Sequence, residues 1–277
     1  MASIFAFQND LKKGEDVQGL IRHVVLSSIL SYKKKYGTKY GAPVIACDGG
    51  AYWRKGVFPY YKAGRKKARE ESGLDWDTIF KTLDEIREAI DKDFPWKLVR
   101  VNEAEADDVI AVLTQSTQEF GQYEDVMIIS SDKDFKQLHQ YDNVKQFNPV
   151  MKKQVTINKS EIRAFMIEHI VKGDKGDGVP NILSDDDVFM TEGRQNAVSA
   201  KRLAEFIDQG ELACRDTVES RRWERNERLV SFTKIPEEIS AAILAQYVRM
   251  HTGDKNGVMN YLISKRCRNL LNSVDEF

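Results

Sequence analysis

The sequence predicts an α/β domain, with a mostly parallel central sheet flanked by helices, followed by a helical domain. Three observations carry this. Short apolar runs rich in β-branched residues, such as Val126-Met127-Ile128-Ile129, read as strands buried on both faces. Amphipathic helical stretches separate these runs as far as Lys172, and beyond it the pattern is helical alone. Aspartates or glutamates follow the runs closely, where open α/β sheets place their ligand crevice.

In chain order, Val17–Lys35 carries apolar residues at helical spacing (Leu20, Ile21, Val24, Val25, Ile29) and is expected to end near Gly37. Pro43–Cys47 is a strand that delivers Asp48. Tyr52–Arg69 is basic and aromatic. Leu74–Lys92 is a helix with Ile79, Leu83, Ile86 and Ile90 on one face and Pro95 beyond its end. Lys97–Val101 is a strand, and Ala104–Gln118 a helix that opens on acids. After Val126–Ser131, residues Val144–Phe147 and Gln154–Ile157 read as a hairpin around Pro149. Glu161–Lys172 is a helix, followed by the glycine-rich turn Gly173–Pro180. Asn181–Gln195, with Ser184-Asp185-Asp186-Asp187 inside it, reads as an exposed loop. Helices follow at Ala197–Gln209, Arg215–Val230, Glu237–Met250 and Gly257–Lys265. The expected domains are 1–180, an α/β core with its basic segment at about 52–72, and 181–277.

With 277 residues, 42% of them hydrophobic, the chain has enough apolar surface for a sizeable core. It has no apolar run of ~18 residues, so no membrane span is expected. The start, Met1–Gln8, turns polar too soon for a secretory signal, and a cytoplasmic location is expected. Cys47, Cys214 and Cys267 are widely spaced, with no CxxC, which suits a reducing compartment and argues against a zinc site. His23, His139, His169 and His251 form no HExxH pair, and each reads as a surface or core residue.

The carboxylates are the informative feature. Asp48, the group Glu105, Asp107 and Asp108, and the pair Asp132 and Asp134 would meet at one edge of the sheet if their strands are parallel neighbours. Glu105 and Asp108 are three apart and share a helix face; Asp107 points elsewhere. Asp174 and Asp177 could reach the same cleft from their turn. Crowded carboxylates repel one another and call for a cation, and hard oxygen donors favour Mg²⁺ or Mn²⁺. Two such ions can assist in-line cleavage of a phosphodiester. Plainer readings exist. Asp132 could cap the short helix Lys133–Leu138, and Glu105–Asp108 could be ordinary first-turn acids.

Net charge is −1, yet from Arg54 to Arg69 there are seven basic residues and no acidic one. Arg54, Lys55, Lys62, Arg65, Lys66, Lys67 and Arg69 interleave with Tyr52, Trp53, Phe58, Tyr60 and Tyr61. Cations neutralise phosphates and aromatic rings stack on bases, so this segment reads as a nucleic-acid contact. The plainer reading is a solvated helix whose rings, Trp53 and Phe58 above all, join the core.

Taken together, Asp48, Glu105-Ala106-Asp107-Asp108, Ser131-Asp132-Lys133-Asp134 and Gly173-Asp174-Lys175-Gly176-Asp177-Gly178-Val179-Pro180 resemble the motifs of the structure-specific 5′ nucleases. That family includes flap endonucleases, 5′-3′ exonucleases and the phage enzymes called RNase H. The resemblance to the phage branch runs through most of the chain, including Tyr52-Trp53-Arg54, Tyr60-Tyr61-Lys62 and the closing Asn272–Phe277.

The resemblance implies a PIN-like nuclease core and a helix–three-turn–helix element in the helical part. It implies metal ligation by Asp48, Glu105, Asp107, Asp108, Asp132, Asp134, Asp174 and Asp177. It implies catalytic roles for Lys62 and Arg65 in an arch segment. It implies nucleic-acid contacts by Arg54, Tyr61, Lys62, Arg65, Lys66, Lys67, Arg69, Gly176, Gly178 and Lys201, and a monovalent cation at Gly173–Pro180. The implied substrates are DNA and RNA–DNA hybrid with 5′ ends or flaps, cut by a monomer with two Mg²⁺ ions, with replication proteins such as single-strand binding protein as partners. Two departures stand out. After Pro180 the family's turn continues differently, and Ser199–Leu203 reads as its displaced second half. The family also begins with a strand ending in aspartate, whereas Met1–Ile4 resembles the residues just after it. Two expectations follow: the gene product is longer, with a strand ending in aspartate ahead of Met1, or the chain lacks a central strand and one ligand. The second brings another reading, a weakened relative that binds flaps without cutting them.

Overall fold

The computed structural model describes residues 16–119, 123–249 and 252–277. Helix α1, Val17–Tyr40, is capped by the Asp16 carboxylate, which accepts from Gly19 N–H at 2.9 Å. It runs past Gly37 and stops at Gly41, whose φ of 80° suits a residue without a Cβ. The last turn survives because Tyr36 and Tyr40 pair at 6.1 Å and Lys39 meets Asp125 at 3.3 Å, contacts that offset the low helix propensity of one glycine.

Strands β1, Val44–Ala46, and β2, Lys97–Val99, pair in parallel, with Val44 opposite Lys97. Between them lie α2 (Arg54–Val57), α3 (Arg65–Glu71) and α4 (Trp76–Asp93). The long helix α4 buries Ile79, Ile86, Ala89 and Ile90. Next comes α5, Ala106–Ser116, and then β3, Val126–Ile129, parallel to β4, Val144–Asn148. A 3-10 helix, Asp134–Gln140, makes the crossover, and β5, Lys153–Val155, closes the expected hairpin around Pro149. Among the described residues the strands form two small sheets, β1-β2 and β3-β4-β5, instead of one continuous sheet. The molecule is therefore mainly helical. The expectation of a strand ahead of Met1 falls outside the described residues.

Helix α6, Lys159–Lys172, starts in a capping box between Asn158 and Glu161 and ends at Gly173. The turn and residues 181–199 lead to α7, Ala200–Gln209, capped by Ser199. Then follow α8 (Thr217–Val230), α9 (Glu237–Arg249), α10 (Lys255–Ser264) and α11 (Arg268–Leu271). The segment expected as an exposed loop is tied down. Asn181 and Ser184 are buried, the Asn181 amide donates to Asn196 O at 2.8 Å, and Asp186 pairs with Arg225 and Arg221 of α8. Acids beside a row of arginines fold back on it.

Packing does not follow a boundary at residue 180. Among the described residues of the C-terminal part, α6, α7 and α8 form a local helical core, around Ile170, Phe206 and Trp223. Helix α9 packs Ile239 and Ile243 against Val99 and Val109. The α10 residues Val258, Tyr261 and Leu262 and the last residue, Phe277, join Ile21, Ile86, Ile90, Phe94 and Trp96 in the first core. The Phe94 ring is fully buried, 5.5 Å from Tyr261 and 5.6 Å from Phe277. The aromatic residues that close the N-terminal half therefore need partners from the end of the chain. Phe94→Ala is expected to cost about 3–5 kcal/mol, read from urea unfolding, with both halves melting together. Separate transitions would show that the C-terminal helices do not complete this core.

Candidate active site

The acids sit where strands and turns end. Asp48 leaves β1, and its Oδ1 accepts the N–H of Ala106 at 2.8 Å, at the first turn of α5. Asp132 follows β3, and its Oδ1 accepts the N–H of Asp134 at 2.8 Å, which opens the 3-10 helix. The capping role expected from the plainer reading is thus real, and the half-buried carboxylate still lines the cleft.

The turn after α6 is built on its own backbone. Asp174 and Val179 exchange N–H to O bonds at 2.8 and 2.9 Å, and Asp174 Oδ1 accepts Gly176 N–H at 2.8 Å. Gly173 has φ 65°, and a Cβ there would stand 2.4 Å from Val179 O, so no other residue fits. Pro180 O accepts from Arg225 at 3.2 Å and from Asn226 at 2.9 Å. A guanidinium of the chain itself thus also reaches this turn, beside which a monovalent cation was expected.

These elements enclose a cleft of about 410 Å³, lined by Tyr61, Lys62, Arg65, Glu105, Asp107, Asp132, Lys133, Asp134, His169, Asp174 and Asp177 among others. Its acids are uncompensated in places. Burial and the neighbouring Asp132 push the Asp107 pKa up to about 7, and the same two causes push Asp134 to about 8. Burial also raises the Asp174 carboxyl, but the Lys133 ammonium, 2.8 Å away, outweighs it and holds the pKa low.

Opposite them stands a lid of cations. Lys62 Nζ touches Glu105 and lies 3.7 Å from Asp177, while Arg65 meets Asp177 at 2.6 Å. Burial opposes the charge of both, and the facing carboxylates more than offset it, so both remain protonated. Lys62 sits at φ 57° with its N–H on Asp177 O at 2.7 Å, which fastens the arch segment to the turn.

Three expected site residues are buried in a hydrogen-bond network; Arg54 and Tyr61 form part of the cleft wall, and Asp108 lies behind it. Arg54 is 3% exposed and donates to Asp108 through both Nη atoms (2.7 and 2.9 Å), to Glu105 (2.8 Å) and to Leu229 O (2.9 Å). Its guanidinium donors are taken up by these partners. Asp108 is fully buried, takes the Trp53 indole N–H at 3.0 Å and caps the Glu105 N–H at 2.9 Å. It serves the fold, and Asp107, the residue off the shared face, is the one that lines the cleft. Tyr61 is 4% exposed, its hydroxyl donating to Glu105 (3.0 Å) and Asp177 (3.1 Å), so its ring is not free to stack on a base. Lys66, Lys67, Arg69 and Lys201 lie outside the cleft lining, as does Asp48. Gly176 lines it, and Gly178, with φ 71°, backs onto Tyr60 O. Sequence reasoning missed Lys133 and His169; a lysine between two aspartates and a histidine one helical turn before the glycine-rich motif were the only signals.

Among the described residues no three of these donors already form a compact metal cage. The donor set still suits a hard divalent ion. It is all oxygen, crowded, and contains a buried Asp134 oxygen with no hydrogen-bond partner. Because the Asp107 and Asp134 pKa values lie above those of an unfolded chain, the folded ion-free protein holds extra protons between about pH 4 and 8. Their contribution to stability is complete below pH 4 and is lost as pH rises through 7 and 8. Thermal melts in EDTA are therefore expected to fall across this window, and Mg²⁺ or Asp134→Asn should flatten the slope. A flat profile in EDTA would remove the case for an uncompensated cluster.

Residues 3–166 match the family described as 5′-3′ exonuclease, N-terminal resolvase-like domain, and residues 159–277 match that described as T4 RNase H, C terminal. The chain is 32% identical over 267 residues to Ribonuclease H of Enterobacteria phage T4, covering 93% of this chain and 87% of that protein. It is 32% identical over 155 residues to the flap endonuclease Xni of Shewanella pealeana, covering 52% of this chain and 56% of that one. The solved phage T5 5′-exonuclease with bound zinc ions shares its fold at a TM-score of 0.62 and 18% identity, covering 89% of this chain and 95% of that one. The motif residues, the cleft they line and these likenesses agree, and the chain belongs to the 5′-3′ exonuclease family of nucleases, with the C-terminal half of a T4-type RNase H.

Proposed function

We propose that the cleft hydrolyses phosphodiester bonds at 5′ ends and 5′ flaps of DNA and of RNA primers paired to DNA, using Mg²⁺ or Mn²⁺. The single observation that carries this is the facing pair of charge sets, a cation lid closed on crowded carboxylates whose proton affinity is raised. Asp107, Asp132 and Asp134, with Asp48 and Glu105 beside them, would hold one ion; Asp174 and Asp177 would hold a second. Bound ions supply an activated water and stabilise the leaving oxygen.

The chain's own groups do the rest. Lys62 and Arg65, paired with Glu105 and Asp177 in the ion-free protein, would hold the scissile phosphate where those carboxylates serve an ion. Arg65 adds charge where it grows in the transition state. Gly176 and Gly178 let duplex backbone approach the turn. Lys66, Lys67, Arg69 and Lys201 supply outer phosphate contacts. Arg54, Tyr61 and Asp108 keep the arch seated. The likeness to the T4 protein named Ribonuclease H supports a ribonuclease H activity. The reading extends to primer removal in phage DNA replication, in the host cytoplasm, by a monomer beside single-strand binding protein. Among the described residues no helix is long and apolar enough to cross a membrane.

Asp132→Asn and Asp107→Asn are expected to abolish Mg²⁺-dependent flap cleavage while the melting temperature in EDTA is kept or raised. Asp108→Asn should instead lower stability by about 3–5 kcal/mol, since it leaves the Arg54 charge buried and poorly paired. Wild-type cleavage by a folded Asp132→Asn protein would sink the assignment. Asp177→Asn should slow cleavage but keep or tighten DNA binding.

Lys62→Ala and Arg65→Ala should each make the salt dependence of DNA binding shallower by about one unit of slope, measured by fluorescence anisotropy. Arg65→Ala should also lower kcat on the order of a hundredfold. Unchanged slopes in both variants would place these side chains away from the nucleic acid.

A further inference from the structure

His169 is a buried cleft group that the proposed reaction leaves without a role. It projects from α6, its side chain only 4% exposed, with the Phe165 ring edge-on at 6.0 Å. Its two nitrogens face two carboxylates from different motifs. Nδ1 lies 3.5 Å from Oδ1 of Asp134, and Nε2 lies 3.5 Å from Oδ2 of Asp174. Both spacings exceed a formed hydrogen bond. Asp134 Oδ1 and His169 Nε2 are buried without a hydrogen-bond partner. Orphaned buried polar atoms are uncommon in folded proteins and call for a partner that arrives later.

A neutral imidazole has one N–H and one lone pair, so it can donate to only one of the two acids. Asp174 Oδ2 already receives the Lys133 ammonium at 2.8 Å, whereas Asp134 Oδ1 receives nothing. Once Asp134 is ionised, as a metal ligand must be, the N–H therefore belongs on Nδ1. We propose that His169 is a positioning residue that donates its Nδ1–H to Asp134 Oδ1 and so aims the other oxygen of Asp134 at a divalent ion. Its Nε2 stays 3.5 Å from the Asp174 oxygen that Lys133 neutralises, close enough to feel that charge and without a hydrogen bond to it. Hydrogen bonds from behind orient ligating carboxylates in this way and tune metal affinity.

The inference rests on the metal reading of the cleft, and the test separates the two. Mn²⁺ binding to the full chain is followed by electron paramagnetic resonance, without nucleic acid, beside thermal melts in EDTA. His169→Ala should weaken one Mn²⁺ site about tenfold or more. An Asn amide can reach the place of Nδ1 and a Gln amide the place of Nε2. His169→Asn should therefore restore most of the affinity, and His169→Gln should not. The same order should hold for the Mg²⁺ midpoint of flap cleavage. Should His169→Ala fail to fold, the Asn and Gln pair decides, since both keep a polar side chain. Wild-type Mn²⁺ affinity in a folded His169→Ala, or equal affinity in the Asn and Gln variants, overturns the assignment alone. Absence of Mn²⁺ binding to the unmodified chain overturns the metal reading with it.

Discussion

One buried guanidinium holds the working parts in register. Arg54 leaves the short helix α2, bonds both carboxylates of the α5 capping box and closes on the α8 carbonyl of Leu229. Arch, acidic helix and C-terminal helix meet at that point. Burying the charge is costly, and only its full set of charge-assisted bonds repays it. Removing any one acid partner strands a charge, so the network tolerates little change. This is why Glu105 and Asp108 share a face. The face points inward at Arg54, and the turn of the helix then carries Asp107 into the cleft.

The second constraint is electrostatic. Acids from strand ends and from a separate turn are packed into one cleft, and the same crowding that would capture a divalent ion raises the proton affinity of Asp107 and Asp134 without one. Lys62, Arg65 and Lys133 answer part of that charge. The lid is thus a counter-ion set in the ion-free protein and a phosphate grip in the proposed loaded one. One group of side chains can serve both states because carboxylate and phosphate both present oxygens to it. The backbone bond from Lys62 to Asp177 keeps the lid over the site in either case.

Away from the cleft, stability comes from the last helices meeting the first half of the chain. Phe94 and Trp96 close the first half, and Tyr261 and Phe277 cover them. A domain described by sequence order therefore differs from a domain described by packing. Among the described residues of the C-terminal part, α6, α7 and α8, which flank the glycine-rich turn, keep a local core of their own.

The sequence by itself determined the elements and the identity of the cleft. Strand runs, helix caps and acids after strands are local signals, and Asp107, Asp132, Asp134, Asp174 and Asp177 all line the cleft. It also carried the glycine-rich turn, in which Gly173 and Gly178 take the positive φ that glycine tolerates. Tertiary structure alone decided which polar residues turn inward. Arg54 and Arg65 look alike in a basic segment, yet one is buried against Asp108 and the other meets Asp177 at the cleft mouth. Gly37 looked like a helix end until Tyr40 and Asp125 supplied contacts across it. His169 looked idle because the two acids it faces lie 35 residues before it and 5 after it in the chain, joined only by the fold. Burial and pairing depend on distant segments, and periodicity in one segment does not contain them.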